Sequence, residues 1–153
     1  MATKITYNRG QINYWAGGAH WHGQNVGVDT EAYLDPTDPK TGSRTGAGAG
    51  IYTNGHYNLY QGHLLNANLG GQAITENLFP ISPELNKAHS SQVEDHVKSN
   101  FLHLNAQKVN NVVGWNNRRL YYRVQVQHPN LNNIRPATIA QTQFHCTAFF
   151  TDN

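Results

Sequence analysis

The stretch that decides the fold runs Gln61-Gly62-His63-Leu64-Leu65-Asn66, then Glu76-Asn77-Leu78-Phe79-Pro80-Ile81-Ser82-Pro83-Glu84-Leu85-Asn86, and on to His89 and Val93-Glu94. Residues 57–65 alternate as a strand, with Tyr57, Leu59, Gln61 and His63 on one face. Gly70-Gly71 then interrupts the chain, and 77–81 reads as a short second strand or extended segment, with Pro80 arguing against a central ladder position. Ser82-Pro83-Glu84 is a helix start: a serine N-cap, proline at the first helical position and an acid in the first turn. The helix is expected to run to about Phe101 or Leu104. Asn86, His89, Val93, Val97 and Leu104 fall within one broad stripe at the helical period, so polar early turns lead into an apolar face.

Outward from this core, residues 1–50 are rich in Gly, Thr, Asn and Pro, with breakers at Asp35-Pro36-Thr37-Asp38-Pro39 and Gly46-Ala47-Gly48-Ala49-Gly50. Irregular structure is expected there, with two short strands near 5–7 and 11–15. Toward the C-terminus, Leu120, Tyr122, Val124 and Val126 alternate within a strand over 119–127, and a second strand over 139–150 completes a hairpin. The fold class expected is α+β, one domain over 1–153, with a strand-strand-helix core at 57–104 and flanking antiparallel strands.

A chain of 153 residues buries one real core and is short for two. The formal charge is +2, with nine histidines in reserve, which permits a polyanionic partner without demanding one. Only 13% of residues are Asp, Glu, Lys or Arg, so neutral hydrogen-bonding groups make much of the surface. No apolar run approaches a membrane span and the N-terminus lacks a secretory signal, which points to a soluble chain with no membrane partner. Cys146 is the single cysteine. It reads as a small core residue rather than a nucleophile, since no sequence neighbour marks an activating environment.

The order of elements, with a histidine late in the first strand and an asparagine early in the helix, resembles the His-Me finger (ββα-metal) nucleases. More narrowly it is similar to the DNA/RNA non-specific endonuclease family, whose motif runs Asp-Arg-Gly-His, Asn-x-x-Pro-Gln, Leu-Asn and Leu-Glu. The matching residues are Gly62-His63, Asn77-Leu78-Phe79-Pro80-Ile81, Leu85-Asn86 and Val93-Glu94, with Asn77 and Asn86 nine apart and Asn86 and Glu94 eight apart. Tyr60-Gln61 stands in place of Asp-Arg, and Ile81 in place of Gln, so another cation must do the arginine's work. Gly62-His63-Leu64-Leu65-Asn66 with Asn86-x-x-His89 also resembles nuclease toxins of bacterial polymorphic toxin and injection systems. The resemblance implies a secreted or injected effector acting in a target-cell cytoplasm, with nucleic acid as substrate and a cognate immunity protein as partner.

Phosphodiester hydrolysis needs a base for water, positive charge near the phosphorane and help for the departing oxygen. His63 suits the base. Asn86 offers a neutral oxygen to a hard ion, most simply Mg²⁺, which keeps several waters when few protein groups bind it. His89, one turn on, is a second ligand or a phosphate contact; as a ligand it would tilt preference toward Mn²⁺, Zn²⁺ or Ni²⁺. Glu94 lies about 12 Å along an unbroken helix from Asn86, so its expected role is outside the ion's inner shell, holding water or His89. Asn77 orients His63 or the metal-bearing segment. Gln61, Asn66, Arg118, Arg119 and Arg123 are the substrate-binding candidates, the arginines interleaved with Tyr121 and Tyr122 as phosphate contacts beside stacking rings, or as the exposed face of a strand. Arg44 is a further phosphate candidate. His20-Trp21-His22 lacks a completing ligand and reads as structure or substrate contact.

The reading that unites these residues is a divalent-metal-dependent endonuclease cutting DNA, RNA or both without strong sequence preference. Two alternatives come from other classes: a noncatalytic nucleic-acid or protein binding module on the same scaffold, and a structural or cargo component of a secretion apparatus. Metal-dependent cleavage of plasmid separates the first from both.

Overall fold

Strand alternation in the N-terminal part is stronger than its glycines and asparagines suggest. The computed structural model describes residues 3–16, 20–39, 42–43, 59–135, 139 and 141–152, and of 14–16 and 20–22 the backbone alone. Within it, β1 (Lys4–Ala16) and β2 (His20–Leu34) form a long antiparallel hairpin, paired from Lys4–Tyr33 to Ala16–His20 with a register shift between Asn8 and Arg9. This corrects the expected irregular segment with two short strands. The physical reason lies in β2, where Val26, Val28, Thr30, Ala32 and Leu34 are buried on one face. Asp29, Glu31 and Tyr33 alternate with them on the other, so a half-polar strand carries the composition of a loop.

β5 (Leu120–Gln127) pairs with β2 from Leu34–Leu120 to Asp29–Gln125, and β6 (Gln143–Phe150) adds to β5 through pairs such as Val124–Cys146. The two strands expected as an isolated hairpin are therefore half of a four-stranded antiparallel sheet, ordered β1-β2-β5-β6. Its inner face carries buried Leu120, Tyr122, Val124 and Val126, which share one core with Val97, Phe101 and Leu104 of the helical layer.

The second, two-stranded antiparallel sheet is β3 (Tyr60–His63) with β4 (Leu78–Ile81), paired Gln61–Pro80 and His63–Leu78. Pro80 is tolerated because each strand of a two-stranded sheet is an edge. The expected start of the first strand at Tyr57 lies outside the described residues, as do Arg44 and the glycine-rich run at 46–50. Gly62 is forced by close approach: a Cβ there would sit 2.6 Å from Ile81 Cγ2.

From β4 the chain enters α1 (Pro83–His89), with Ser82 Oγ accepting from Leu85 N at 3.2 Å. A π-helical turn over Ser90–Glu94 joins it to α2 (Asp95–Val109). The helix thus runs past its expected end, and a tertiary contact accounts for the added turn. Lys108 is buried there, its Nζ 3.1 Å from Asp35 Oδ2 at the end of β2 and 3.2 Å from the Asn116 carbonyl. The observed architecture is α+β, with one long helical layer against antiparallel sheets. None of the described helices is long and apolar enough to cross a membrane.

Between β3 and β4 the chain folds back through two 3₁₀ turns, over Ala67–Leu69 and Thr75–Asn77. Fully buried Asn77 closes this excursion. Its Oδ1 accepts from Leu65 N at 2.9 Å and from the Thr30 hydroxyl at 3.3 Å, and its Nδ2 donates to the carbonyls of Leu65 at 2.9 Å and Gln72 at 3.0 Å. Asn77→Ala strands buried donors and acceptors and is expected to cost about 3 kcal/mol in urea unfolding, the scale of a few unmet buried polar groups. Asn77→Asp is expected to be nearly as damaging, because a second oxygen would face two carbonyls. Equal stability of wild type and Asn77→Asp would show that the amide nitrogen holds nothing.

Candidate functional site

The residues after β3 and along the helix converge on one open polar cleft of about 400 Å³, lined by Gln61, His63, Asn66, Asn86, Glu94 and Lys98 among others. Its floor is the end of β3, its near wall is the 3₁₀ turn that follows, and its far wall is one side of α1, the π turn and the start of α2.

His63 is the last residue of β3 and half-buried. Its Nε2 lies 2.8 Å from the backbone oxygen of Ser43. A carbonyl only accepts, so the bond requires a proton on Nε2 and leaves the lone pair of the neutral ring on Nδ1. That is the state of a base with its tautomer set from behind.

Glu94 reaches the cleft from the π turn. One carboxylate oxygen, Oε2, accepts from Asn66 Nδ2 at 2.9 Å, while the other lies 3.1 Å from buried His89 Nε2. That second contact is an ion-pair proximity rather than an aligned hydrogen bond. Burial alone would raise the Glu94 pKa, but His89, Asn66 and Lys98 outweigh it and hold the group below its ordinary value. Glu94 is therefore anionic across the neutral range. Asn66 is committed on both sides, since its Oδ1 also caps the following turn by accepting from Asn68 N at 2.9 Å. It positions Glu94 and the turn instead of offering a free group to substrate.

His89 departs from its expected role. It is 4% exposed and does not line the cleft. Its two ring nitrogens face Glu94 and, at 3.8 Å, the sulfur of Cys146 on β6, and its ring meets Phe144 edge-on at 5.0 Å. An ion held in the cleft would not find a nitrogen ligand here, and the argument for Mn²⁺, Zn²⁺ or Ni²⁺ loses its basis. Burial opposes charge on His89, yet the contacts with the Cys146 sulfur and the Glu94 carboxylate outweigh it and push the imidazole up to about 9. Cys146, expected to be an inert core residue, has an imidazole neighbour that no sequence spacing reveals.

Asn77 is likewise not in the cleft. It acts on His63 indirectly, by pinning Leu65 two residues on. The three arginines lie elsewhere. Arg123 is bound in bidentate fashion by Asp29, at 2.9 and 2.6 Å, on the sheet face away from the helices. The Arg119 guanidinium sits 4.7 Å over the Tyr33 ring on that same face. Arg118 stacks at 4.7 Å on Trp115, with Asp152 3.8 Å away. Among the described residues, the Lys or Arg side chain that lines the cleft is Lys98, one helical turn beyond Glu94. Its spacing at i+4 from Glu94 was the available sequence signal.

The donor chemistry of the cleft fits a hard divalent ion: an amide oxygen on Asn86 and an ionised carboxylate on Glu94, in a space open enough for retained waters. Among the described residues no group of three or more His, Cys, Asp or Glu is placed to cage an ion. Of the cleft donors, Asn86 is the residue that would offer such an ion an amide oxygen, and Glu94 is suited to hold water beside it.

The His89–Glu94 pair makes stability depend on pH in a stated direction. A folded-state pKa near 9, above the ordinary 6.5, contributes stability fully present below about 6.5 and lost as pH rises through 9. Glu94, shifted down, contributes stability present above the ordinary carboxylate range and lost as pH falls. The urea midpoint is expected to fall from pH 6.5 to 9, and to fall less in His89→Gln; an equal decline in both proteins would show that another group titrates. In three comparisons with known proteins, no family model, no curated protein and no solved structure matches the chain.

Proposed function

We propose that the protein is a metal-dependent endonuclease that hydrolyses phosphodiester bonds of DNA, RNA or both without strong sequence preference, built on a ββα-metal core formed by β3, β4 and the helix. The observation that carries this reading is the convergence of His63, Asn86, Glu94 and Lys98 on one cleft, with His63 Nε2 tied to the Ser43 carbonyl. A base with a free Nδ1, an oxygen ligand, an anchored anion and a cation are the parts that attack by water on a phosphodiester requires.

In this scheme Nδ1 of His63 takes the proton of the attacking water, and the Ser43 carbonyl supports the positive charge that the ring then carries. Asn86 would hold the ion through its carbonyl oxygen, and the ion would supply positive charge to the phosphate and the departing oxygen. Glu94, held by Asn66 and His89, accepts from water in the cleft. Lys98 provides the phosphate contact that the absent motif arginine would have made, and Gln61 lies at the cleft edge in that arginine's place. On the sequence resemblance, the setting is an effector nuclease of a bacterial toxin system, countered by an immunity protein.

The test is cleavage of plasmid DNA and of structured RNA by the purified chain with Mg²⁺ and with chelator. His63→Ala is expected to lower cleavage at least about 10²-fold, the low end for loss of a general base, while keeping the unfolding transition. Asn86→Ala is expected to abolish the response to Mg²⁺, and Glu94→Gln to have a milder effect. No cleavage of any substrate by the wild type with Mg²⁺ or Mn²⁺ would overturn the assignment and favour a binding module.

Binding separates the cations. In a His63→Ala background, Lys98→Ala is expected to weaken affinity for unrelated sequences alike and to flatten the log affinity–log salt slope by about 0.9, the loss of one phosphate contact. Arg123→Ala, whose guanidinium is already paired with Asp29, is expected to leave the slope unchanged. The reverse pattern would move the nucleic acid onto the outer sheet face.

A further inference from the structure

Behind the cleft, on the inner face of the sheet, four chemistry-bearing side chains meet that the hydrolytic scheme does not need together. Cys146 is partly exposed on β6, the outermost strand of the four-stranded sheet. Its Sγ lies 3.8 Å from His89 Nδ1, and His89 Nε2 lies 3.1 Å from Glu94 Oε1. Tyr122, on the neighbouring strand, is 1% exposed, and its hydroxyl has no hydrogen-bond partner among the described residues. Burial pushes the Tyr122 phenol well above its usual range, and Cys146 and Glu94 push it further.

We propose that Cys146 is a nucleophilic thiol and a modification site for hydroperoxides, served by His89 and Tyr122 and oriented through Glu94. The geometry is that of an activated nucleophile: sulfur within reach of an imidazole, and the imidazole held on its far side by a carboxylate. His89, held protonated at neutral pH by its contacts with Cys146 and Glu94, turns Nδ1–H toward the sulfur 3.8 Å away. The Tyr122 O–H, buried and without an acceptor among the described residues, lies on the same sheet face, two register positions from Cys146. A donor aimed at the sulfur complements its anion, and the thiolate is the reactive form.

The step balances without a further cofactor. The thiol gives its proton to solvent, and the thiolate attacks one oxygen of hydrogen peroxide. An S–O bond forms as the O–O bond breaks, so sulfur gives up two electrons and the peroxide accepts them. The departing hydroxide takes a proton from Nδ1 of His89 and leaves as water, and solvent reprotonates the ring. The sum is thiol plus peroxide giving sulfenic acid plus water. This inference does not depend on the nuclease reading, because its measurement follows the sulfur alone.

The experiment is the rate of alkylation of Cys146 by iodoacetamide at pH 7, in the folded chain and in the same chain unfolded in urea, followed by mass spectrometry. The folded thiol is expected to react at least about tenfold faster despite its partial burial, as thiols beside an imidazolium do. His89→Gln and Tyr122→Phe are each expected to slow it. Hydrogen peroxide is expected to give a sulfenic acid on the folded wild type that a cyclic 1,3-diketone traps. A folded thiol no faster than the unfolded one, a variant as fast as wild type, or no trapped adduct would overturn the proposal. If His89→Gln fails to fold, the folded–unfolded ratio and Tyr122→Phe decide the matter.

Discussion

Every part of the cleft depends on one buried amide. Asn77 has no solvent exposure and its side-chain amide makes four hydrogen bonds, three to backbone groups of Leu65 and Gln72 and one to the Thr30 hydroxyl. Those bonds tie the end of β3 to the start of β4 and both to β2. Space around the amide is so tight that a Cβ on Gly71 would lie 1.8 Å from the Leu65 oxygen and 2.9 Å from Asn77 Nδ2. An asparagine is the one residue of that size that both donates and accepts along a fixed plane. The loop bearing Asn66 is thereby set beside His63, and the segment that follows is aimed into α1.

A second consequence follows along the helix. A regular helix would place Asn86 and Glu94 on distant turns, yet both line the same cleft, with the π turn over Ser90–Glu94 between them. Extra residues in a turn displace the following side chains around the axis, and such insertions concentrate at functional sites. Here Glu94 is turned toward Asn66 on one side and His89 on the other. The buried imidazolium offsets the desolvation of the carboxylate, and the Glu94–His89 pair is nearly neutral as a unit. Lys98, one turn beyond Glu94, also lines the cleft.

The two faces of the large sheet have separate chemistry. The inner face is apolar and carries buried Tyr122 and the Cys146–His89 contact; the outer face carries Asp29 with Arg123, Glu31 with Tyr121, and the stacked Tyr121 and Phe149 rings 4.7 Å apart. Charge on the outer face is largely satisfied within the sheet itself. Arg123 and Asp29 are separated by 94 residues, so the arginine-rich strand looks cationic in sequence and is neutralised in space.

Local signals in the sequence by themselves determined the elements around the site. Ser82-Pro83-Glu84 starts a helix through its own capping chemistry, and Pro80 marks an edge. These are decided by bonds and sterics within a few residues. Tertiary structure alone decided the rest, because the partners are far apart in the chain. The glycine- and asparagine-rich start becomes two long strands only when β5 supplies β2 with a neighbour and the helical layer covers its apolar half. His89 moves from candidate ligand to buried partner of Glu94 because Cys146 and Phe144, more than fifty residues away, close over it. Lys98 lines the cleft and Arg123 does not, because Asp29, 94 residues away, holds the arginine on the outer sheet face.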